Sequence, residues 1–195
     1  MKNTLHTRFI FLLLLLVPGW TFAHTGIGAA SGWTDGLLHP FLGLDHLFAM
    51  IAVGLWARQL GGRARWLAPT TFVCVMAAGG WLGMAAVPLP FVEGGILASL
   101  LVLGVLIAAA IRLPIFASMA LVGFFALFHG YAHGAEMPRT ISGLSYAFGF
   151  MLSAAALHLA GIIIANSFDR AGLPHWLRLA GASIAAFGGA FLWVG

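Results

Sequence analysis

Two short segments of the chain carry histidines and carboxylates inside otherwise apolar sequence. Together they supply six side chains that can bind a divalent cation, namely His39, Asp45, His46, His129, His133 and Glu136. Imidazole is a ligand for zinc, copper, iron and nickel, and a carboxylate also neutralises the charge of the cation. Because His129 and His133 are four residues apart, their rings share one face of a helix, and Glu136 continues that stripe. The second segment therefore predicts a row of metal-binding groups.

The first segment leaves two questions of geometry open. His39 and His46 are seven residues apart and share one helix face, unless Pro40 makes His39 a cap residue outside the helix. Asp45 points about 100° away from His46 on an ideal helix. It is either a direct metal ligand or a partner that fixes the tautomer of a neighbouring imidazole. In both interpretations the carboxylate and the imidazoles serve the same site.

The composition decides which class of protein must position these groups. Hydrophobic residues make up 62% of the 195 residues and charged residues only 7%, whereas soluble domains are about 25% charged. Such a chain cannot cover itself with a polar surface, so we predict an integral membrane protein with the lipid bilayer as a partner.

Lys2 is the only lysine and Cys74 the only cysteine, which excludes a P-loop ATPase and cysteine-based metal sites. The basic residues form no dense cluster, so nucleic acid is not an expected partner.

Residues 1–23 are typical of a signal peptide. A basic amino-terminal stretch precedes an apolar core that is too short to span a bilayer, and small residues lie before the predicted cleavage point after Ala23. An uncleaved anchor helix is the alternative. Cleavage leaves a transmembrane domain of residues 24–195 that begins with His24. The free amine and imidazole of His24 could chelate a metal together, or His24 could be a solvated terminus.

The remaining sequence is typical of an all-α integral membrane protein. Apolar stretches close to the ~20 residues that a helix needs to cross a bilayer recur between short connections. They predict a bundle of six transmembrane helices, with spans at about 35–56, 66–86, 92–111, 114–134, 141–166 and 174–194.

Arginines predict how this bundle is oriented. Arg139 is the only arginine of the mature chain on one side, and the opposite side carries six: Arg58, Arg63, Arg65, Arg112, Arg170 and Arg178. By the positive-inside rule these six mark the cytoplasmic side of a bacterial inner membrane, so the mature amino terminus is periplasmic. Both histidine segments then lie in the outer half of their spans, where Asp35, Glu93 and Glu136 add acidic groups. If the first and fourth spans pack together, they form a divalent-metal pocket open to the periplasm.

The chain contains two compact motifs, His39-(five residues)-Asp45-His46 and Phe128-His129-Gly130-Tyr131-Ala132-His133-Gly134-Ala135-Glu136. They resemble the motifs of the HupE/UreJ family of hydrogenase and urease accessory proteins. The resemblance implies a permease that imports nickel into the cytoplasm, so Ni²⁺ is the expected substrate, with Co²⁺ or Zn²⁺ as alternatives and no organic cofactor. It also implies nickel-enzyme maturation proteins as downstream partners. We expect a transporter and not an enzyme.

Other functions are compatible with the same residues. A membrane metal chaperone or sensor would bind the cation without transporting it, and a metallo-hydrolase would use Glu136 as a base. A haem-binding subunit would use two axial histidines, whereas a zinc intramembrane protease is excluded because the chain has no His-Glu-x-x-His segment. His158, in the fifth span, could be a packing residue or a second metal station. The sequence is also compatible with a homo-oligomer.

Overall fold

The computed structural model describes residues 32–137 and 142–194. Within them the chain forms a short 3₁₀ helix, His39–Phe41, and seven α-helices: α1 Trp33–Leu38, α2 Leu44–Leu60, α3 Ala64–Met84, α4 Val92–Ala108, α5 Ile115–Glu136, α6 Gly143–Arg170 and α7 Pro174–Val194. No strand occurs in these two ranges, so the predicted all-α class is confirmed for this part of the chain. The predicted signal peptide and His24 lie outside the described residues.

Most of these helices have the length and composition of membrane spans. Four of them, α3, α5, α6 and α7, are long and apolar enough to cross a bilayer, and α1 with α2 forms a fifth span if the bent pair is counted as one. Helix α4 is apolar but has only 17 residues, which corresponds to about 25 Å. A multi-pass membrane protein is therefore supported, and the count of six spans stays a prediction.

The predicted first span, 35–56, is not one continuous helix. The segment Trp33–Phe41 and the helix Leu44–Leu60 meet at an angle of 84°. Pro40 lies in the 3₁₀ helix, where its missing N–H prevents a regular α-helix from continuing. Gly43 then has extended backbone angles and is the N-cap of α2. His39 and His46 therefore belong to different helices and do not share a helix face.

Helices α3 and α5 form the most closely packed pair and run parallel. Gly130 lies against the Met76 carbonyl, and one helical turn later Gly134 lies against the Gly80 carbonyl, so close that a side chain at either glycine would overlap the facing backbone. Small residues allow this approach, which gives van der Waals packing in a lipid environment. The two glycines therefore fix the position of the second histidine motif relative to α3.

Helix α2 is the centre of the bundle. Every residue from Ala52 to Ala57 is buried, because α3, α4 and α6 all pack against α2. Gly54 allows the backbone of α2 to approach the His158 carbonyl of α6. A segment that is apolar on all sides is typical of such a central position, whereas the first turn of α2, with Asp45 and His46, is only partly buried.

One end of the bundle, which we call the arginine end, contains the connections α2–α3, α4–α5 and α6–α7. Three side chains from other helices donate hydrogen bonds to carbonyls at the carboxyl end of α4 and just after it: Trp56 Nε1 to Ile111 (2.9 Å), Gln59 Nε2 to Ile107 (3.1 Å) and Arg178 Nε to Ala108 (2.7 Å). The guanidinium of Arg58 also pairs with Asp169 at 2.9 Å. These contacts supply partners for carbonyls that a helix end leaves free and connect α2, α4, α6 and α7. We call the opposite end the histidine end.

We expect Gly130→Ala to lower the unfolding temperature in detergent, because the added methyl group overlaps the Met76 carbonyl and forces α3 and α5 apart. Overpacking of this kind costs about 1–3 kcal/mol. The control is Gly123→Ala on the same helix, where a methyl group meets Thr71 and Val75 at an ordinary 3.5 Å and gains helix propensity. Equal unfolding temperatures for the two variants would contradict the close α3–α5 contact.

Candidate metal site

The two histidine segments meet at the histidine end of the bundle. The ring centroid of His46 lies 4.9 Å from that of His129 and 4.2 Å from that of His133, and His39 lies 4.6 Å from His133. We call these four residues the histidine cluster. The structure thus brings together four imidazoles from the beginning of α2, the preceding 3₁₀ helix and the end of α5.

The local sequence explains how each ring reaches the cluster. On α5, Gly130 and Gly134 face α3, and His129 and His133 each precede one of these glycines, about 100° around the helix. This offset turns both imidazoles towards α2. The bend before α2 places His39 beside His133, although the two histidines of the first motif lie on different helices.

Asp45 holds the ring of His46. Its Oδ1 accepts the backbone N–H of His46 at 2.8 Å and lies 3.0 Å from His46 Nδ1. An ionised carboxylate can only accept hydrogen bonds, so Nδ1 carries a proton, and in the neutral form of the ring Nε2 holds a lone pair. Nε2 is buried and has no hydrogen-bond partner. The structure shows the contact with an imidazole that the second of the two predicted roles of Asp45 requires.

Ser99 fixes the tautomer of His129 in a similar way. The Ser99 hydroxyl donates to the Ile96 carbonyl at 2.6 Å, and its Oγ lies 2.9 Å from His129 Nε2. Because the only hydroxyl hydrogen is already used, His129 Nε2 must be the donor, and Nδ1 of the neutral ring holds the lone pair. Nδ1 is buried without a partner. Ser99 was not among the residues predicted from the sequence, yet it and Glu93 are the only polar side chains in α4, a signal that could have identified it.

His133 lies between the other rings and has no polar partner of its own. It is 2% exposed, its ring centroid is 3.8 Å from that of Phe150, and neither of its nitrogens makes a hydrogen bond. In the described residues, six of the eleven buried polar side-chain atoms without a partner are imidazole nitrogens, and four of these six belong to the histidine cluster. Each such group costs about 1–3 kcal/mol. This concentration of unpaired polar atoms is typical of a ligand site rather than of packing.

An acidic rim borders the cluster. Glu136 Oε2 lies 3.4 Å from His39 Nε2. Glu93, in the first turn of α4, is near enough to Asp45 and Glu136 for their charges to interact. Carboxylates around the mouth of an apolar cavity raise the local concentration of cations. The rim therefore favours positively charged ligands.

Exposure decreases steadily from the rim into the bundle. The side chain of Glu136 is 57% exposed, that of Asp45 26%, that of His39 22% and that of His46 12%, while His133 and His129 are buried. The six predicted residues thus form an order of depth from a solvated carboxylate to a fully enclosed imidazole.

The rings contact one another in this structure. Within residues 32–137 and 142–194, no three His, Cys, Asp or Glu side chains are posed as ligands of one metal ion. The cavity beside His133 has a volume of about 30 Å³, which is large enough for one water molecule. A cation can enter only if the imidazoles rotate and most of its hydration shell is replaced by side-chain ligands.

Comparison with known proteins agrees with the motifs. The sequence profile of the HupE / UreJ protein family matches residues 12–191. The chain is 43% identical over 182 residues to Protein HupE of Rhizobium leguminosarum bv. viciae, which covers 93% of this chain and 94% of the relative. No solved structure matches the chain. With a family profile and a full-length relative in agreement, the chain belongs to the HupE/UreJ family.

Proposed function

We propose that the protein is a secondary transporter that imports a divalent transition-metal cation, with Ni²⁺ as the main substrate. The observation that carries the proposal is the pair of buried lone pairs on His46 Nε2 and His129 Nδ1, with His133 in contact beneath an acidic rim. Membership of a family of hydrogenase and urease accessory proteins supports a role in supplying metal rather than in catalysis.

The donor atoms fit a borderline divalent metal. Neutral imidazoles are good ligands for nickel, cobalt and zinc, and a nearby carboxylate offsets the positive charge. The thiol of Cys74 lines a different part of the bundle, so the cluster offers no thiolate ligand. The preference for Ni²⁺ over Co²⁺ or Zn²⁺ comes from the family, because imidazole alone does not separate these three ions.

The order of depth defines a route for the cation. The rim carboxylates attract it, and it meets His39 beside Glu136 before it reaches the deeper rings. Each imidazole that binds replaces a water ligand, so dehydration proceeds in steps. Asp45 stabilises the positive charge through His46, because its carboxylate lies 3.0 Å from Nδ1 of the coordinating ring.

The arginines indicate how the protein is oriented in the membrane, and the charge of the cation indicates what drives its import. The arginine end is placed in the cytoplasm by the positive-inside rule, and the histidine end then faces the periplasm of the inner membrane. Two positive charges moving inward gain about 4.6 kcal/mol per 100 mV of membrane potential, at ~2.3 kcal/mol per charge. The potential alone can therefore drive accumulation, and maturation proteins for nickel enzymes are the proposed recipients.

A metallo-hydrolase is less well supported than transport. Glu136 would have to act as a base near a metal-bound water, but its side chain is more than half exposed and paired with His39 at the rim. The two nitrogens proposed to bind the metal, on His46 and His129, lie deeper in the bundle than Glu136. A chaperone or sensor would bind the cation at the same cluster but would not transport it across the membrane.

We expect His129→Ala to reduce uptake of radioactive Ni²⁺ into proteoliposomes to the level of protein-free vesicles, because the cluster loses its most deeply buried ligand. His175→Ala is the matched control, since His175 is exposed at the arginine end. Unchanged uptake by both His129→Ala and His46→Ala would contradict the proposal. Binding of Ni²⁺ without any flux through the wild-type protein would favour a chaperone or sensor.

We expect Ser99→Ala to raise the Ni²⁺ dissociation constant about tenfold, because loss of the residue that orients a ligand typically weakens metal binding 10–100-fold. Isothermal titration of purified protein measures this change. Ser118→Ala is the control, because its buried hydroxyl also bonds a carbonyl, that of Leu113, but lies away from the cluster. If Ser99→Ala binds Ni²⁺ as tightly as Ser118→Ala, the tautomer assigned to His129 is wrong.

A further inference from the structure

Helix α6 carries another buried histidine that the route described above does not use. His158 is 1% exposed, and neither of its ring nitrogens has a hydrogen-bond partner. A histidine that served packing alone would be expected to satisfy at least one nitrogen, since an unpaired buried polar atom costs about 1–3 kcal/mol. The sequence left packing and a metal station open for this residue, and the two unpaired nitrogens favour a ligand.

A single aromatic ring stands between His158 and the histidine cluster. The Phe72 ring centroid lies 5.6 Å from that of His129 and 5.0 Å from that of His158. Phe72 is itself fully buried. The cluster and His158 are therefore separated by one side chain, which can rotate, and not by a helix or by several layers of packing.

On its other side His158 lines a cleft between α3 and α6. The cleft has a volume of about 350 Å³ and is open to the surface, and its walls include Trp66, Thr70 and Cys74 of α3. Trp66 is the third residue of α3, so the cleft extends towards the arginine end. His158 is thus a buried imidazole on the wall of an open cleft.

We propose that His158 is a second binding station for the divalent cation, which it receives from His129 past Phe72 and releases into the α3–α6 cleft. This inference rests on the transport function proposed above. The transfer is a ligand exchange without a change of oxidation state, because the bond from the cation to His129 Nδ1 breaks as a bond to a ring nitrogen of His158 forms.

The surroundings of His158 suit transfer rather than storage. The histidine cluster has Asp45, Glu93 and Glu136 nearby, whereas none of the described residues that line the cleft carries a carboxylate. A cation held by an imidazole without a neutralising charge is bound more weakly. The cation therefore leaves the second station readily, and the membrane potential drives the step from the tighter to the weaker site.

The first test separates binding from flux. We expect His158→Gln to bind Ni²⁺ at the cluster with the wild-type dissociation constant by isothermal titration, yet to transport it at least tenfold more slowly into proteoliposomes. His175→Gln is the matched control and should leave both quantities unchanged. Normal flux in His158→Gln overturns the second station but leaves the transport proposal intact. Absence of flux in the wild-type protein overturns the transport proposal itself.

A second test measures whether the cation occupies the α3–α6 cleft. Cys74 is the only cysteine of the chain and lies exposed in the cleft wall. The rate of its modification by a maleimide therefore reports on whether a cation occupies the cleft. We expect Ni²⁺, but not Mg²⁺, to slow this modification severalfold in the wild-type protein and to have no effect in His158→Gln. A rate that is insensitive to Ni²⁺ in the wild type, or equally sensitive in both proteins, overturns the proposal.

Discussion

An imidazole nitrogen buried in an apolar bundle has no water to bond, and the structure around the cluster follows from this constraint. Asp45 and Ser99 each occupy one nitrogen of a ring and leave the other as a lone pair. The partners come from different helices, so α2, α4 and α5 must meet at one level of the bundle. Such lone pairs can bind a divalent cation, which is the ligand that our proposal assigns to them.

Backbone contacts create the space in which these rings meet. Gly130 and Gly134 let α5 lie directly against α3, and Gly54 lets α2 lie against α6. Each contact removes a side-chain layer that would otherwise separate the histidines. The histidines and glycines of the second motif thus have different roles on α5. The glycine face packs on the backbone of α3, and the adjacent face carries the imidazoles.

The sequence was sufficient to predict the helical membrane class and to indicate which residues meet. Arginine bias placed both motifs in the same half of the bundle, and the structure brings them into contact. The sharp bend near Gly43 could not be predicted, although Pro40 was a warning, because its angle depends on how α1 packs across α6. Phe72 was missed for a similar reason, since a single phenylalanine in an apolar helix gives no sign of the face on which it lies. Ser99 was missed although it is one of only two polar side chains in α4.

The hydrogen bonds at the carboxyl end of α4 have a mechanical consequence. Trp56, Gln59 and Arg178 connect α2 and α7 to the same stretch of backbone, so these three helices resist sliding past one another. The parallel pair α3–α5 is held together separately by its glycine contacts. Helix α6 joins the first block through the Arg58–Asp169 pair and the close contact between Gly54 and the His158 carbonyl. The imidazoles shared by α2 and α5 and the cleft between α3 and α6 therefore both lie between the two blocks. Rocking one block against the other would widen one opening while narrowing the other, as in transporters whose ligand lies where two rigid units meet.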